Sequence, residues 1–323
     1  MLKRKGSGFR FQVSGWVLLG LILVGLTHPV LAQTIYSWTD EDGITHFTDQ
    51  RPMIEQEVSV QRAIARPEAM MEIVKAGTAS APVWKFSNRT QGPLAVRVWL
   101  ESDENIVSYP ELPARFVLPG GAVRELVTVG AFDPRKSWSY QIRAESLPGD
   151  PAGRHQPSRA YRPPFARNQE FRIGQAFGGA FSHTAPDSRH AVDISMPVGT
   201  PIHAAREGVV MDVARWFSGA GTDVKRDGPR ANFVRILHDD GSMAVYAHLD
   251  YEGVVVQPGQ QIQRGQLIGR SGNTGFSTGP HLHFVIQLNR DMKLVSVPFE
   301  FAGPNGQTFT PQRGQPMKVH ESR

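Results

Sequence analysis

His281 and His283 flank a single residue in the run Gly275-Phe276-Ser277-Thr278-Gly279-Pro280-His281-Leu282-His283-Phe284-Val285-Ile286. On a β-strand alternate residues share a face, so both imidazoles point one way while Leu282 and Phe284 point into packing. Two such imidazoles can hold one metal ion together, or one can hold it while the other handles protons. Upstream, the stretch Gly178 to Ile194 supplies His183 and His190 in a loop and Asp193 at the opening of an apolar strand. A His-Asp-His set leaves a fourth position for water, the open coordination of a catalytic zinc. The alternating run Met243-Ala244-Val245-Tyr246-Ala247-His248-Leu249 ends on a further imidazole. Taken singly, each residue has a plain structural reading, as a half-exposed strand histidine or a strand-edge carboxylate. Their crowding argues otherwise: seven of the ten histidines after position 32 fall between His183 and His283.

The elements that must position these groups read as β-structure. From 165 to 303 glycine is dense, short Val/Ile strands recur and helical periodicity is scarce, which predicts an all-β catalytic domain. Before it, 147–164 is a proline-rich polar linker, and 82–146 alternates short strands with turn signals such as Pro119-Gly120-Gly121, the pattern of a small β-sandwich. Residues 61–81 lack a clear period and read as a linker with a helix near Glu68 to Lys75. In 33–60, two short alternating runs flank Glu41-Asp42-Gly43, an N-terminal hairpin. Residues 304–323 read as a polar C-terminal tail.

Residues 1–32 carry Lys3, Arg4, Lys5 and Arg10, an apolar run from Val17 to Leu26, and Val30 and Ala32 at small-residue positions, which predicts a cleaved secretory signal peptide. The apolar run is shorter than the roughly 20 residues of a transmembrane helix. An exported, periplasmic or cell-envelope protein with no membrane span after cleavage is expected. The net charge of +5 belongs largely to this segment: beyond it, 31 basic residues face 30 acidic ones, so nothing points to nucleic acid. With no cysteine there is neither a disulfide framework nor a thiolate metal site, and any metal must be held by imidazole and carboxylate.

The histidine-bearing blocks, with Gly199-Thr200-Pro201, Ala205-Arg206-Glu207-Gly208-Val209-Val210, Gly265-Gln266-Leu267-Ile268-Gly269 and Gly272-Asn273-Thr274-Gly275, closely resemble the lysostaphin/LytM-type zinc endopeptidases over about residues 165–301. The resemblance implies a LytM-like (duplicated hybrid motif) β-sheet fold with a shallow groove, one Zn2+ held by two histidines and an aspartate, and peptidoglycan peptide stems or cross-bridges as substrate. It matches Asp193 and His283 to metal ligands, His281 to the general base and His248 to the group assisting it. The commonest pattern puts the first histidine ligand four residues before the aspartate, where this chain has Arg189, whose guanidinium cannot bind a cation. His183 and His190 are left as candidates. If Ala191 to Ile194 is already strand, His190 and Asp193 face opposite sides, whereas the loop residue His183 escapes that constraint.

The N-terminal run Tyr36-Ser37-Trp38, Asp40 to Gly43 and Thr48-Asp49 resembles, over about 20 residues, a short domain of unknown function found in many exported bacterial proteins. That resemblance implies no chemistry, and a plain docking or spacer role, with any partner unidentified, is expected. The rival reading is a non-catalytic LytM-type regulator or activator of cell-wall amidases. A biotinyl- or lipoyl-type carrier, suggested by Val256-x-x-Gly259-x-x-Ile262-x-x-Gly265, lacks the lysine such a hairpin tip needs, and no His-Glu-x-x-His helix supports a general zinc protease.

Overall fold

A computed structural model describes residues 34–39, 45–48, 53, 59–62 and 68–320; the expected signal peptide and the Glu41-Asp42-Gly43 turn lie outside them. Among the described residues, no helix is long and apolar enough to cross a membrane. The strand Thr34–Thr39 pairs antiparallel with Thr45–Thr48, and also with Ser59–Arg62, so a third strand joins the expected hairpin.

Two sheets follow. One runs in the order Met71–Gly77, Pro82–Asn88, Val123–Ala131, Ile106–Tyr109, the other Ser139–Pro148, Leu94–Glu104, Ala114–Leu118. Alternate residues Trp84 and Phe86 of one sheet and Leu94, Val96 and Val98 of the other meet in a shared apolar core, each fully buried side chain of this size contributing about 1.5–3 kcal/mol. The expected helix near Glu68 to Lys75 is instead the strand Met71–Gly77, which pairs along its whole length with Pro82–Asn88. Helix-forming Glu and Met gave way to β-branched Ile73 and Val74 once a partner strand was within reach.

The largest sheet carries the candidate site. Its main path is Gln261–Ile262, Gly208–Ala214, Asn232–Leu237, Met243–Val254, His281–Asn289, Val192–Ser195, Glu170–Gln175, Pro316–Lys318, antiparallel throughout. The central strand His281–Asn289 is buried on both faces from Phe284 onward, which is why its sequence there is nearly continuous in apolar residues. His281 and His283 are its least covered residues, both half-buried, while Leu282 between them is buried on the opposite face. Beneath them, Phe284, Phe299, Phe301 and Tyr161 pack edge-on or tilted, ring centroids 5.2–6.2 Å apart.

Two segments expected to lie outside this domain help build it. The stretch 147–164 buries Tyr161, and Arg162 Nη1 donates to the carbonyls of Pro163 and Phe165, so polar composition masked an aromatic anchor. In the expected polar tail, Pro316–Lys318 forms the edge strand beside Glu170–Gln175 and Met317 joins the core. The sandwich docks on the far end of the central strand, where Asn289 Nδ2 donates to the Gly149 carbonyl at 3.0 Å, and on the strand Gly208–Ala214, where the Gln91 N–H donates to the Met211 carbonyl at 2.8 Å. At 3.3 Å per residue, Asn289 stands about 26 Å along the strand from His281.

Candidate metal centre

Strand register assembles the centre. Asp193 lies directly opposite His283, and Ser195 opposite His281, so the carboxylate and both imidazoles share one face of the sheet. On the other flank Ala247 opposes His283, and the next residue, His248, has φ +63°. This left-handed conformation, which costs a non-glycine about 1–3 kcal/mol, sits where the Met243–Val254 strand leaves the central strand and pairs Leu249 with Ser271. His183 arrives from a loop, its N–H donating to the Gly179 carbonyl at 2.9 Å, and is buried.

His183 Nε2 lies 3.1 Å from Asp193 Oδ1, His283 Nδ1 lies 2.9 Å from the same oxygen, and the three ligand atoms fall within 4.8 Å of one another. Ligand bonds of 2.0–2.2 Å at tetrahedral angles separate donor atoms by about 3.3 Å, so this spacing suits one small divalent ion. The tautomers suit it too. His183 Nδ1 donates to the Ala176 carbonyl at 2.9 Å, which leaves its Nε2 lone pair facing Asp193. His248 Nδ1 donates to the Thr274 carbonyl at 2.7 Å and His281 Nδ1 to the Gly279 carbonyl at 2.8 Å. The two rings are 4.6 Å apart, and His281 Nε2 lies 3.7 Å from Asp193 Oδ1.

In the metal-free site electrostatics hold the carboxylate ionised and His248 neutral, while a proton on His183 Nε2 would have to leave before an ion could take its place. Burial alone would raise the Asp193 carboxyl, but hydrogen bonds from His183 and His283, with the charges of His283 and His281, hold it well below the usual carboxylate range. For His183 burial pulls downward and is outweighed by the hydrogen bond and charge of Asp193, a net rise. His248 is pushed down to about 3, first by burial and then by His281 and His283, so it stays neutral at neutral pH.

Of the two loop histidines, the structure places His183 beside Asp193 and turns His190 away. His190 Nδ1 meets the Ser296 carbonyl at 3.0 Å, its backbone N–H donates to Ser296 Oγ at 3.0 Å, and its ring packs edge-on against Phe177. His203 Nδ1 meets the Gly265 carbonyl at 2.8 Å. His238 is buried against Tyr161 with Nδ1 on the Glu207 carbonyl at 2.6 Å.

Residues 187–294 match the description Peptidase family M23. The match spans Asp193, His248, His281 and His283. The chain carries an M23 peptidase domain. Residues 22–82 match a domain of unknown function, DUF4124, which reaches past the expected hairpin into the first strand of the sandwich. The M23 region is 41% identical over 96 residues to the peptidoglycan DD-endopeptidase ShyA of Vibrio cholerae serotype O1, covering 29% of this chain and 19% of that protein. It is 37% identical over 98 residues to the DD-carboxypeptidase/endopeptidase Mpg of Neisseria meningitidis serogroup B, covering 30% and 20%. Among solved structures, the antimicrobial peptidase lysostaphin from Staphylococcus simulans is 29% identical, covering 41% of this chain and 48% of that one, with a TM-score of 0.30. The chain thus spans about a fifth to a quarter of the length of the curated relatives it matches. An M23 metallopeptidase domain implies a metal, and His183, four residues before the matched stretch, with Asp193 and His283 forms a candidate donor set for one.

The M23 domain opens above this centre into a groove of about 1110 Å³. Phe181 and Phe276 stack across one wall, centroids 5.7 Å apart and planes 9° off parallel, although Phe181 is 61% exposed. Arg313, from the segment read as a tail, stands on another wall. Spacing arguments passed over these residues, and they also passed over Gln175, whose Nε2 donates to Asp193 Oδ2 at 2.9 Å. The adjoining Gly174 was the one available signal, since an isolated glycine in a strand marks a bulge.

Proposed function

We propose that the C-terminal domain is a zinc-dependent endopeptidase that hydrolyses peptide cross-links of bacterial peptidoglycan, and that the protein is exported to the periplasm or cell envelope. The observation that carries this reading is the convergence of His183 Nε2, Asp193 Oδ1 and His283 Nδ1 beneath an open groove. The donor set, two neutral imidazoles and a carboxylate with no thiolate, is one that catalytic zinc takes. Bound there, zinc would supply Lewis acidity to the scissile carbonyl and lower the pKa of a water to about 7.

The protein's own groups supply the rest. His281, fixed through Nδ1 on the Gly279 carbonyl, presents Nε2 to the site; there it takes the proton of the attacking water and later delivers it to the leaving amine. His248, neutral and 4.6 Å ring to ring from His281, presents its own Nε2 beside that path and orients the water or the developing oxyanion. The open groove, with the Phe181–Phe276 pair on its wall, admits an extended chain with small side chains. Cell-wall stem peptides have that shape, and the relatives named as peptidoglycan endopeptidases support this substrate class.

Digestion of purified sacculi tests the proposal. Cross-linked muropeptides should be converted to uncross-linked ones by the untreated protein and left intact after chelation, with activity restored by zinc. Sacculi left intact by zinc-loaded protein would favour a regulator of cell-wall amidases instead.

A further inference from the structure

Gln175 ends the strand Glu170–Gln175, and its side chain reaches the site only because pairing with the neighbouring strand slips by one residue. Ile173 lies opposite Ile194, yet Gln175 rather than Gly174 lies opposite Asp193. In a regular ladder Gln175, two positions on from Ile173, would share its core-facing side. The extra residue at Gly174 turns it onto the face that carries Asp193. A Cβ at Gly174 would lie 2.8 Å from Ser195 Oγ, so a side chain there would crowd the opposite strand.

Once on that face the amide is fully used. Nε2 donates to Asp193 Oδ2 at 2.9 Å and to Ser182 Oγ at 2.7 Å, while Oε1 accepts from the Phe181 N–H at 3.2 Å. The Asp193 carboxylate is thereby divided: Oδ2 is held by Gln175, and Oδ1 is left to face His183 Nε2 and His283 Nδ1. The loop bearing His183 is wrapped over the same side chain, because a Cβ at Gly179 would fall 2.1 Å from Gln175 Cγ, and Gly179 in turn accepts the His183 N–H. One amide therefore touches the strand that presents the carboxylate and the loop that presents an imidazole, elements ten residues apart in sequence at His183 and Asp193.

We infer that Gln175 is a positioning residue for the metal: it locks the rotamer of Asp193 and the approach of His183 together, so that both donors are aimed before an ion arrives. The inference rests on the metallopeptidase reading. An amide suits the task because it donates to Oδ2 without adding charge, which leaves the carboxylate's negative charge to the ion. Outer partners of this kind contribute to affinity by orienting ligands.

The test uses the full chain as wild type, Gln175→Ala, Gln175→Met and Ser182→Ala. Each is loaded with zinc and titrated against a chromogenic chelator, and the thermal unfolding midpoint of each metal-free protein is measured alongside. Gln175→Met keeps the length and the packing over Gly179 and adds no charge, but it loses the donor. Both Gln175 variants should bind zinc about 10–100-fold more weakly, with metal-free midpoints close to the wild-type value. Ser182→Ala, which keeps the Asp193 contact and frees only the loop, should weaken zinc binding by less, and it carries the test should a Gln175 variant fail to fold. Wild-type affinity in Gln175→Met overturns the inference, as does a loss of affinity matched by an equal fall in the metal-free midpoint. A wild-type chain that takes up no zinc overturns the metallopeptidase reading itself, an outcome visible before any variant is compared.

Discussion

The sandwich and the peptidase sheet are built from the same parts, antiparallel strands with one face turned to an apolar core, yet only one of them gathers chemistry. Both contain register slips: the sandwich between Gln141 and Ile142 and between Trp84 and Lys85, the peptidase sheet at Gly174 and at four other points. In the sandwich, the slips leave tryptophan and isoleucine facing in, and the charged groups pair at the surface, as in Lys85–Glu125 and Arg97–Glu145. In the peptidase sheet the slip at Gly174 delivers an amide to a carboxylate, and a left-handed residue at a change of partner strand is a histidine. A distorted ladder is therefore no site in itself. It becomes one when the re-aimed residue is polar and its neighbours on that face can share its hydrogen bonds.

That contrast breaks first at the ligands. His283→Ala should lose zinc and lower turnover by more than about 10⁴-fold, since removing a ligand removes the hydrolytic centre as a unit. His281→Ala should lose about 10²–10⁴-fold in turnover while zinc stoichiometry stays at the wild-type value. Metal analysis beside muropeptide release separates the two, and equal zinc loss in both variants would merge the base with the ligands. In the sandwich, Phe86→Ala removes a fully buried ring and should cost about 3–5 kcal/mol, read as loss of hydrogen-exchange protection in 71–148, with turnover per folded molecule unchanged. A fall in turnover would show that the Gln91–Met211 contact transmits strain to the site.

The same contrast governs what could be read from sequence. His281 and His283 were legible because strand alternation alone puts them on one face, and that face proved to be the site face in register with Asp193. The choice between His183 and His190 was legible only in part: strand parity set His190 against the face of Asp193, but how the loop folds back depends on Ser296, more than a hundred residues away in sequence, which claims His190. Gln175 was illegible for a related reason, since its facing depends on a slip whose only local mark is a glycine. The burial of His238 was illegible too: a turn-proximal histidine is ordinarily exposed, whereas this one is covered by Tyr161, from a segment that composition marked as linker.

His238 offers the next test. Burial pushes its imidazole down to about 4, and its Nε2 is buried without a hydrogen-bond partner, so a proton there would be an unmatched charge in the interior. A histidine whose folded pKa is depressed stabilises the fold above the unfolded value of about 6.5, and that stability is lost as pH falls from there toward 4. The sandwich strands, 71–148, contain no histidine. Acidification from pH 7 to 5 should therefore lower exchange protection in the metal-free peptidase sheet and leave the sandwich nearly unchanged once intrinsic rates are corrected. His238→Gln should remove only its own share of that dependence, because His248, pushed down to about 3 in the same sheet, acts in the same direction; equal sensitivity in both regions would remove histidine burial as the cause.

The smallest effect expected is at Arg97–Glu145 in the sandwich. Arg97 Nε meets Glu145 Oε1 at 2.8 Å, close to the spacing of the buried contacts around Asp193, but both side chains are about two-fifths exposed. Water screens such a pair, and holding two long side chains in place costs entropy, so exposed pairs of this geometry contribute about 0.2–1 kcal/mol. The Arg97 guanidinium also lies 5.2 Å from the centroid of Trp99, a contact that Glu145→Ala leaves intact and Arg97→Ala removes. In a double-mutant cycle the coupling should thus stay below about 1 kcal/mol and shrink further at high salt, while Arg97→Ala alone costs more than Glu145→Ala. A coupling of several kcal/mol, insensitive to salt, would mean that the outer face of the sandwich is covered in solution and belongs with the buried site rather than opposite it.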